Sequence, residues 1–155
     1  METNYFGALR CTQAVIPGMR ERRSGHIVNV SSVGGRLAGP AHAPYNASKW
    51  ALEAMSEALA AEVKRFGIRV SIVEPGVIGT SIFDKMREIP ANTRYPHERR
   101  LYALFNASLK QPVSPFVVAD KMVEIVRGDT WKLRQPVGPD AEPFLQYRAS
   151  MSDEQ

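Results

Sequence analysis

The sequence predicts an α/β fold built on a small parallel sheet. Two short segments rich in β-branched residues, 26–31 and 68–74, are predicted to be buried strands, and residues 45–66 between them have the periodicity of a helix. Strand, helix and strand in this order make a βαβ unit, in which a right-handed crossover joins parallel strands. Since 155 residues with 44% hydrophobic content can form one core, a single domain over 1–155 is expected.

The first element of the chain is predicted to be a helix over residues 3–23. Its apolar side chains recur at helical spacing, and Pro17 should bend it or shorten its last turn. Cys11 lies among these apolar residues and is expected to be buried as a small hydrophobic side chain. A single cysteine excludes an internal disulfide and fits a reducing compartment, so a cytoplasmic location is expected.

Composition and charge narrow the range of partners. The net charge is +4, yet there is no basic stripe interleaved with aromatic residues, so no nucleic-acid partner is expected. No apolar run approaches the length of about 18 residues that spans a bilayer, and no membrane partner is expected. His26, His42 and His97 lack a paired carboxylate or a ligand-like spacing, which predicts surface or loop histidines and no metal site.

The predicted helix 45–66 presents three stripes. Tyr45 and Lys49 begin the first, alanines form the second, and charged residues form the third. The alanine row comprises Ala47, Ala51, Ala54, Ala58 and Ala61. Apolar surface on two faces suggests that helices 3–23 and 45–66 pair with a second subunit, so a homo-oligomer is expected. The alternative is a well-covered core helix in a monomer.

The second half of the chain is less regular. Three prolines interrupt residues 77–113, where one or two short helices are expected to cover a pocket as a movable lid. A serine at the first position is predicted to cap a helix over 114–127, and a last strand is expected within 130–137. The tail, 138–155, is expected to hold a helical turn near 142–149 and then to fray.

Tyr45 and Lys49 are the residues on which the chemistry depends. Residues four apart lie one above the other on a helix, so an ammonium can stabilise a phenolate and make the tyrosine a working proton donor or acceptor. The pair alone is a weak signal, because many amphipathic helices carry it. Its context strengthens the signal: Ser31, Ser32 and the Pro-Gly pair at 75–76 end the two strands, and ligands of parallel sheets bind there.

Four motifs in order resemble the short-chain dehydrogenase/reductase family. They are Asn4 within Glu2-Thr3-Asn4-Tyr5-Phe6-Gly7, the strand Ile27-Val28-Asn29-Val30-Ser31-Ser32 with glycines after it, Tyr45 with Lys49, and Pro75-Gly76-Val77-Ile78-Gly79-Thr80. Each is common by itself, but together, at the family's usual intervals, they form a strong signal over most of the chain. The resemblance implies a partial Rossmann-like, doubly wound parallel sheet of about three strands with flanking helices.

The resemblance also implies a catalytic tetrad of Asn4, Ser32, Tyr45 and Lys49. Tyr45 would exchange a proton with the oxygen of a small alcohol or carbonyl substrate, and Ser32 would hold that oxygen. The family places this serine thirteen residues before the tyrosine, which selects Ser32 over Ser31. Lys49 would act on Tyr45 and bind the nicotinamide ribose, while Asn4 would hold a water that joins Lys49 to solvent.

NAD or NADP is the implied cofactor. Thr80 and the backbone near Ile78 would bind the nicotinamide carboxamide, and Pro75 with Gly76 would let the chain pass close to the ring. Hydride transfer leaves or consumes a developing alkoxide, so a hydroxyl donor beside a tuned phenol suits the reaction and no metal is needed.

One part of the family pattern does not occur in these residues. The glycine-rich turn that receives a pyrophosphate at a helix N-terminus has no counterpart, because glycines 34, 35 and 39 follow the catalytic strand. The portion that carries it in the family would hold about four further strands. Two functions stay open: the catalytic part of a longer oxidoreductase in which Met1 is internal, or a truncated, non-catalytic or weakly active product that associates through its helices with a related subunit.

The side chains of the expected lid indicate which type of substrate would fit beneath it. The apolar ones are Phe83, Met86, Leu101, Leu104 and Phe105. They indicate an apolar or bulky alcohol or ketone, although core packing would require the same residues. A substrate that bears a carboxylate is a second hypothesis, because three arginines lie nearby in the sequence: Arg94, Arg99 and Arg100.

Overall fold

A three-stranded parallel sheet lies at the centre of the fold. The computed structural model describes residues 1–85 and 92–152. The strands, in their order across the sheet, are β1 (Gly25–Val30), β2 (Ile68–Pro75) and β3 (Arg134–Val137). In the parallel register Val30 lies beside Val73, and Pro75 lies beside Val137. The strands therefore end near one edge of the sheet, as the βαβ prediction requires.

Five α-helices connect and flank the strands within the described ranges. They are α1 (Ala8–Glu21), α2 (Ala43–Val63), α3 (Pro96–Ser108), α4 (Phe116–Arg127) and α5 (Ala141–Ser150). A π-helical turn, Glu2–Gly7, leads directly into α1, and shorter 3-10 turns occur at Val33–Gly35, Lys64–Phe66 and Ser81–Lys85. Gly67 adopts a left-handed conformation (φ 70°) that ends the α2 segment before β2 begins.

Hydrophobic clusters on both faces of the sheet fix the helices in place. On one face, β1, β2 and α2 form a cluster to which α1 also contributes; its buried members are Ile27, Leu59, Val63, Ile68 and Val70. On the other face Val73 and Val137 pack against Ile125 of α4. Successive residues of a strand point to opposite faces, so β2 supplies both clusters. Helices on both faces of a parallel sheet confirm the predicted doubly wound, partial Rossmann-like architecture.

Exposure along the first two helices differs from the sequence prediction at one residue. Cys11 is exposed, so the expectation that it is buried was wrong. Thr12, its neighbour, is the buried residue of α1, and successive helical residues point about 100° apart. Helix α1 continues through Pro17 to Glu21. Among the alanines of α2, Ala51 is half-buried and the other four are exposed.

The carboxyl half is more regular than expected. Helix α4 begins at Phe116, and the Ser114 hydroxyl accepts a hydrogen bond from the Phe116 amide at 3.3 Å. The last strand is confined to the four residues that pair with β2, and the segment after it forms α5, whose first residue, Ala141, is fully buried. The expected lid contributes the turn Ser81–Lys85 and α3, while Met86 lies outside the described residues.

No helix in residues 1–85 and 92–152 combines the length and the apolar character that a bilayer span requires.

Candidate active site

A mostly apolar cleft of about 430 Å³ opens beyond the carboxyl ends of the strands. Ser32, which follows β1, and Tyr45, in the first turn of α2, both line it, together with Val77 from the loop after β2. The apolar walls are formed by Val33, Leu37, Ile82, Phe83, Leu101, Leu104, Phe105 and Phe144. The topology therefore brings two of the four predicted catalytic residues to one cavity.

Ser32 faces the cleft because the chain turns sharply after β1. It caps the 3-10 turn Val33–Gly35, and its hydroxyl accepts a hydrogen bond from the Gly34 amide at 3.1 Å. The same hydroxyl can donate to the Pro75 carbonyl, 3.4 Å away, which ties the ends of β1 and β2 together. This donation is long and weak, so the hydroxyl proton can be given to a better acceptor.

Ser31 lies on the other side of the same turn. It is 3% exposed, and a Cβ added at Gly35 would approach the Ser31 hydroxyl oxygen to 2.6 Å and the Glu53 Cγ to 2.9 Å. Within the described residues the Ser31 hydroxyl has no hydrogen-bond partner. Ser31 is therefore packed beneath the turn, and of the two serines Ser32 is the one that lines the cleft.

Lys49 stands one helical turn after Tyr45. Its Nζ donates to the Val30 carbonyl at 2.9 Å and lies 5.9 Å from the centroid of the Tyr45 ring. Burial lowers the pKa of Lys49, and the Glu53 carboxylate partly opposes this shift. An ammonium has three donors, so the bond to Val30 leaves donors for hydroxyls of a bound molecule.

Asn4 contacts α2 from the π-helical turn at the start of the chain. Its Nδ2 donates to the Ser48 hydroxyl at 3.0 Å, and that hydroxyl donates to the Tyr45 carbonyl at 2.7 Å. Asn4 is thus connected to the backbone of Tyr45 through one side chain. The predicted water between Asn4 and Lys49 remains a prediction.

The predicted cofactor-binding residues at the end of β2 and in the loop after it differ in their exposure and in their contacts. Thr80 is exposed, whereas Ile78 is 9% exposed and belongs to the core. Gly76 is held against Asp140: a Cβ at Gly76 would lie 2.0 Å from the Asp140 Oδ1. Pro75 ends β2, and its carbonyl faces Ser32.

His42 belongs to the cleft, although the sequence predicted only a surface or loop histidine. Its ring stacks on that of Tyr45, with ring centroids 4.8 Å apart, and the centroid of the Phe105 ring lies 5.7 Å from that of His42. Burial lowers the pKa of His42, which favours the neutral imidazole. The signal that could have found it is its position three residues before Tyr45, on the same helical face.

The charged side chains near the cleft do not favour the hypothesis that arginines bind a substrate carboxylate there. The described lining residues include no lysine or arginine, and their one carboxyl group, that of Glu98, accepts a hydrogen bond from Thr93 at 3.4 Å. Arg94, Arg99 and Arg100 do not line the cleft. Among the described residues, therefore, the lining of the cavity offers no lysine or arginine to a substrate carboxylate.

Two buried carboxyl groups and two arginines form a cluster of residues that do not line the cleft. Glu74 is fully buried and Glu53 is 3% exposed. The Nε of Arg134 is 3.1 Å from Glu53 and 3.7 Å from Glu74, while Arg36 lies 3.5 Å from Glu74. Burial, reinforced by Glu53, raises the pKa of Glu74 to about 7 even though both arginines oppose the shift.

Comparison with known proteins identifies the class that this fold and cleft define. The family described as short chain dehydrogenase matches residues 1–90. The chain belongs to this family, which confirms the resemblance that its sequence motifs indicated.

Individual relatives agree. An oxidoreductase of Botryotinia fuckeliana, BOA17, is 34% identical over 99% of this chain and 58% of its own length. A short-chain dehydrogenase structure from Streptomyces avermitilis is 39% identical with a TM-score of 0.75, and covers 94% of this chain and 53% of that one. The structure of a short chain dehydrogenase from Burkholderia cenocepacia in complex with NADP is 26% identical with a TM-score of 0.73. This match covers 100% of this chain and 54% of that one. The chain spans 51% to 64% of the length of the curated relatives that it matches almost from end to end.

Proposed function

We propose that the protein is an NAD(P)-dependent oxidoreductase that interconverts an alcohol and a ketone or aldehyde, with Tyr45 as the acid/base. One observation carries the proposal: Tyr45 and Ser32 line a single cleft, with Lys49 one helical turn behind the tyrosine. A phenol and a hydroxyl in an apolar cavity, with an ammonium near the phenol, can hold a substrate oxygen and exchange a proton with it.

Each group has a separate part in this proposal. The Ser32 hydroxyl donates to the substrate oxygen, which requires it to leave its weak bond to the Pro75 carbonyl. The Tyr45 hydroxyl gives a proton to this oxygen in reduction and takes it in oxidation. Lys49 places a positive charge near Tyr45, with its Nζ 5.9 Å from the centroid of the tyrosine ring. Together these groups offset the charge that develops on the oxygen.

The cofactor fits the residues present at the carboxyl edge of the sheet. NAD(P) would supply or accept the hydride when bound. Lys49 has donors for ribose hydroxyls, the exposed Thr80 side chain can bind a carboxamide, and the loop at 76–79 is held by backbone hydrogen bonds from Gly76 to Val137 and from Gly79 to Val113, both 2.9 Å. The similar Burkholderia cenocepacia structure holds NADP, which supports this class of cofactor.

The cleft favours an uncharged apolar substrate. Aromatic rings line the cleft beside Tyr45: the ring centroid of Phe105 lies 5.3 Å from that of Phe83 and 5.7 Å from that of His42. Glu98 would repel a substrate carboxylate. We therefore propose a bulky alcohol or ketone, with segment 77–113 as the lid over it; movement of this lid stays a prediction.

The test is turnover by the protein expressed from its complete reading frame. Purified protein is assayed for oxidation of NADH or NADPH with matched pairs of carbonyl substrates, one neutral and apolar, the other bearing a carboxylate. We expect activity on the neutral member and at least about tenfold lower kcat/KM on its charged analogue. Absence of turnover with every pair, in a protein that binds either cofactor, would contradict the proposal.

A non-catalytic role is the second candidate, and the sequence of these 155 residues favours it in one respect. They contain no glycine-rich phosphate-binding turn, so a polypeptide of this length should bind NAD(H) or NADP(H) only weakly. Calorimetry on that polypeptide distinguishes the candidates: micromolar binding would exclude the idea that it merely associates with a related subunit.

Association and location complete the proposal. The exposed alanines of α2, with the outer face of α1, form a surface on which a second subunit can approach closely. We propose a homo-oligomer through these helices, and a cytoplasmic location that accords with the single free cysteine. Sedimentation velocity on the wild type and an Ala54→Glu variant tests the interface; an unchanged mass would contradict it.

A further inference from the structure

The structure assigns a positioning role to Asp140, a residue that no sequence motif indicated. We propose that its carboxylate fixes the loop after β2 in the conformation that binds the nicotinamide end of the cofactor. This inference rests on the proposed function. Its basis is one hydrogen bond across the fold and two glycines that make room for it.

The hydrogen bond joins α5 to the loop. Asp140 is the N-cap residue of α5, yet in the described part of the chain its carboxylate does not cap that helix. Instead, its Oδ2 accepts from the Val77 amide at 2.8 Å. An N-cap aspartate ordinarily accepts from its own first turn, so this side chain has been diverted to another element.

Gly76 and Gly138 enclose the same carboxylate. A Cβ at Gly76 would meet three atoms of Asp140, Oδ1 at 2.0 Å, Cγ at 2.5 Å and Oδ2 at 2.7 Å. A Cβ at Gly138 would lie 3.2 Å from Oδ1, and Gly138 also has φ +97°, a conformation that other residues rarely adopt. The absence of both side chains creates the space in which the carboxylate reaches the loop.

The position of this contact connects it to the site. Val77 lines the cleft beside Tyr45 and Ser32, and Thr80 follows three residues later. The Gly76 amide donates to Val137 at 2.9 Å, so strand β3 and the start of α5 hold adjacent amides of the loop. Loss of the Asp140 carboxylate frees the Val77 amide and allows the loop to move away from the cofactor. Asp140 acts through the loop and not on the reacting atoms.

The experiment compares Asp140→Ala with Asp140→Asn in the full-length protein. Asparagine retains a carbonyl oxygen that can accept from Val77, whereas alanine does not. We expect Asp140→Ala to weaken NAD(P)H binding about tenfold or more and to accelerate hydrogen exchange of the Val77 amide, with Asp140→Asn close to wild type. Wild-type binding by Asp140→Ala, or equal losses in both variants, would overturn the inference.

A double-mutant cycle with Gly76→Ala provides the second test. The added methyl group collides with Asp140, so Gly76→Ala should weaken cofactor binding in the wild-type background and cost much less when combined with Asp140→Ala. Additive losses would overturn the inference. If the wild type bound no NAD(P)H, the proposed function would fail instead. Unchanged Val77 exchange in Asp140→Ala would then still overturn the role of Asp140.

Discussion

Asn4 donates a hydrogen bond from its Nδ2 to the Ser48 hydroxyl, 3.0 Å away, and so connects the first turn of the chain to α2. Because Ser48 donates onward to the Tyr45 carbonyl at 2.7 Å, the contact also supports the backbone that carries the proposed acid/base. Anchoring of α2 and the predicted proton relay are therefore two roles of Asn4 that can be tested separately.

Substitution of either partner distinguishes these roles. Asn4→Ala removes one hydrogen bond and should lower the free energy of unfolding by about 1 kcal/mol. Ser48→Ala removes this bond and the bond to the Tyr45 carbonyl, and should lower the free energy of unfolding by about 1–3 kcal/mol. If Asn4 also holds the relay water, Asn4→Ala should lower kcat at least about tenfold more than Ser48→Ala. Steady-state kinetics and denaturant unfolding of both variants provide the measurement. Equal kcat values would reduce Asn4 to an anchor.

The adjacent serines offer a matched pair. Ser32→Ala removes the hydroxyl that faces the cleft and should lower kcat/KM about 10²–10³-fold, since a donor to a developing charge is lost. Ser31→Ala removes a buried hydroxyl that has no hydrogen-bond partner among the described residues, and should leave kcat/KM nearly unchanged. A larger loss in Ser31→Ala than in Ser32→Ala would show that the family spacing had selected the wrong serine.

Glu74 makes stability depend on pH. Burial raises its pKa to about 7, above the unfolded value, so the folded state binds the proton more tightly and its stability falls as pH rises from about 4.5 to 7. Glu74→Gln removes this dependence of stability on pH. Relative to wild type, the free energy of unfolding of the variant should rise by on the order of 1–3 kcal/mol between the two ends of that pH interval.

The check on Glu74 is chemical unfolding of wild type and Glu74→Gln at several pH values. Arg134 keeps its contacts with Glu53 and Glu57 in the variant, so the arginine is not left without a counter-charge. A stability difference that does not change between pH 4.5 and 7 would contradict the raised pKa.

Local patterns predicted the sheet and helices because each depends on residues close in sequence. The β-branched runs identified β1 and β2, and the four-residue interval placed Tyr45 and Lys49 on one face of α2. Family spacing chose Ser32 without knowledge of the turn that exposes it. These inferences needed no information about distant contacts.

Local sequence patterns could not predict the contacts between segments that are distant in the sequence. The bond between Val77 and Asp140 joins residues 63 positions apart, and nothing in either local sequence indicates it. The register with β2 limits the last strand to Arg134–Val137, whereas its propensity extended the prediction to 130–137. The apolar neighbours of Cys11 suggested burial, but the position of α1 on the sheet left this face exposed.

The most direct measurement is the turnover of Tyr45→Phe, with Tyr147→Phe as its control. Tyr147 is 60% exposed on α5 and lies outside the cleft. In the protein from its complete reading frame, Tyr45→Phe should lower kcat at least about 10³-fold while the Kd for NAD(P)H changes by less than about threefold. Tyr147→Phe should retain wild-type kcat. Turnover by Tyr45→Phe at the wild-type rate would exclude Tyr45 as the acid/base.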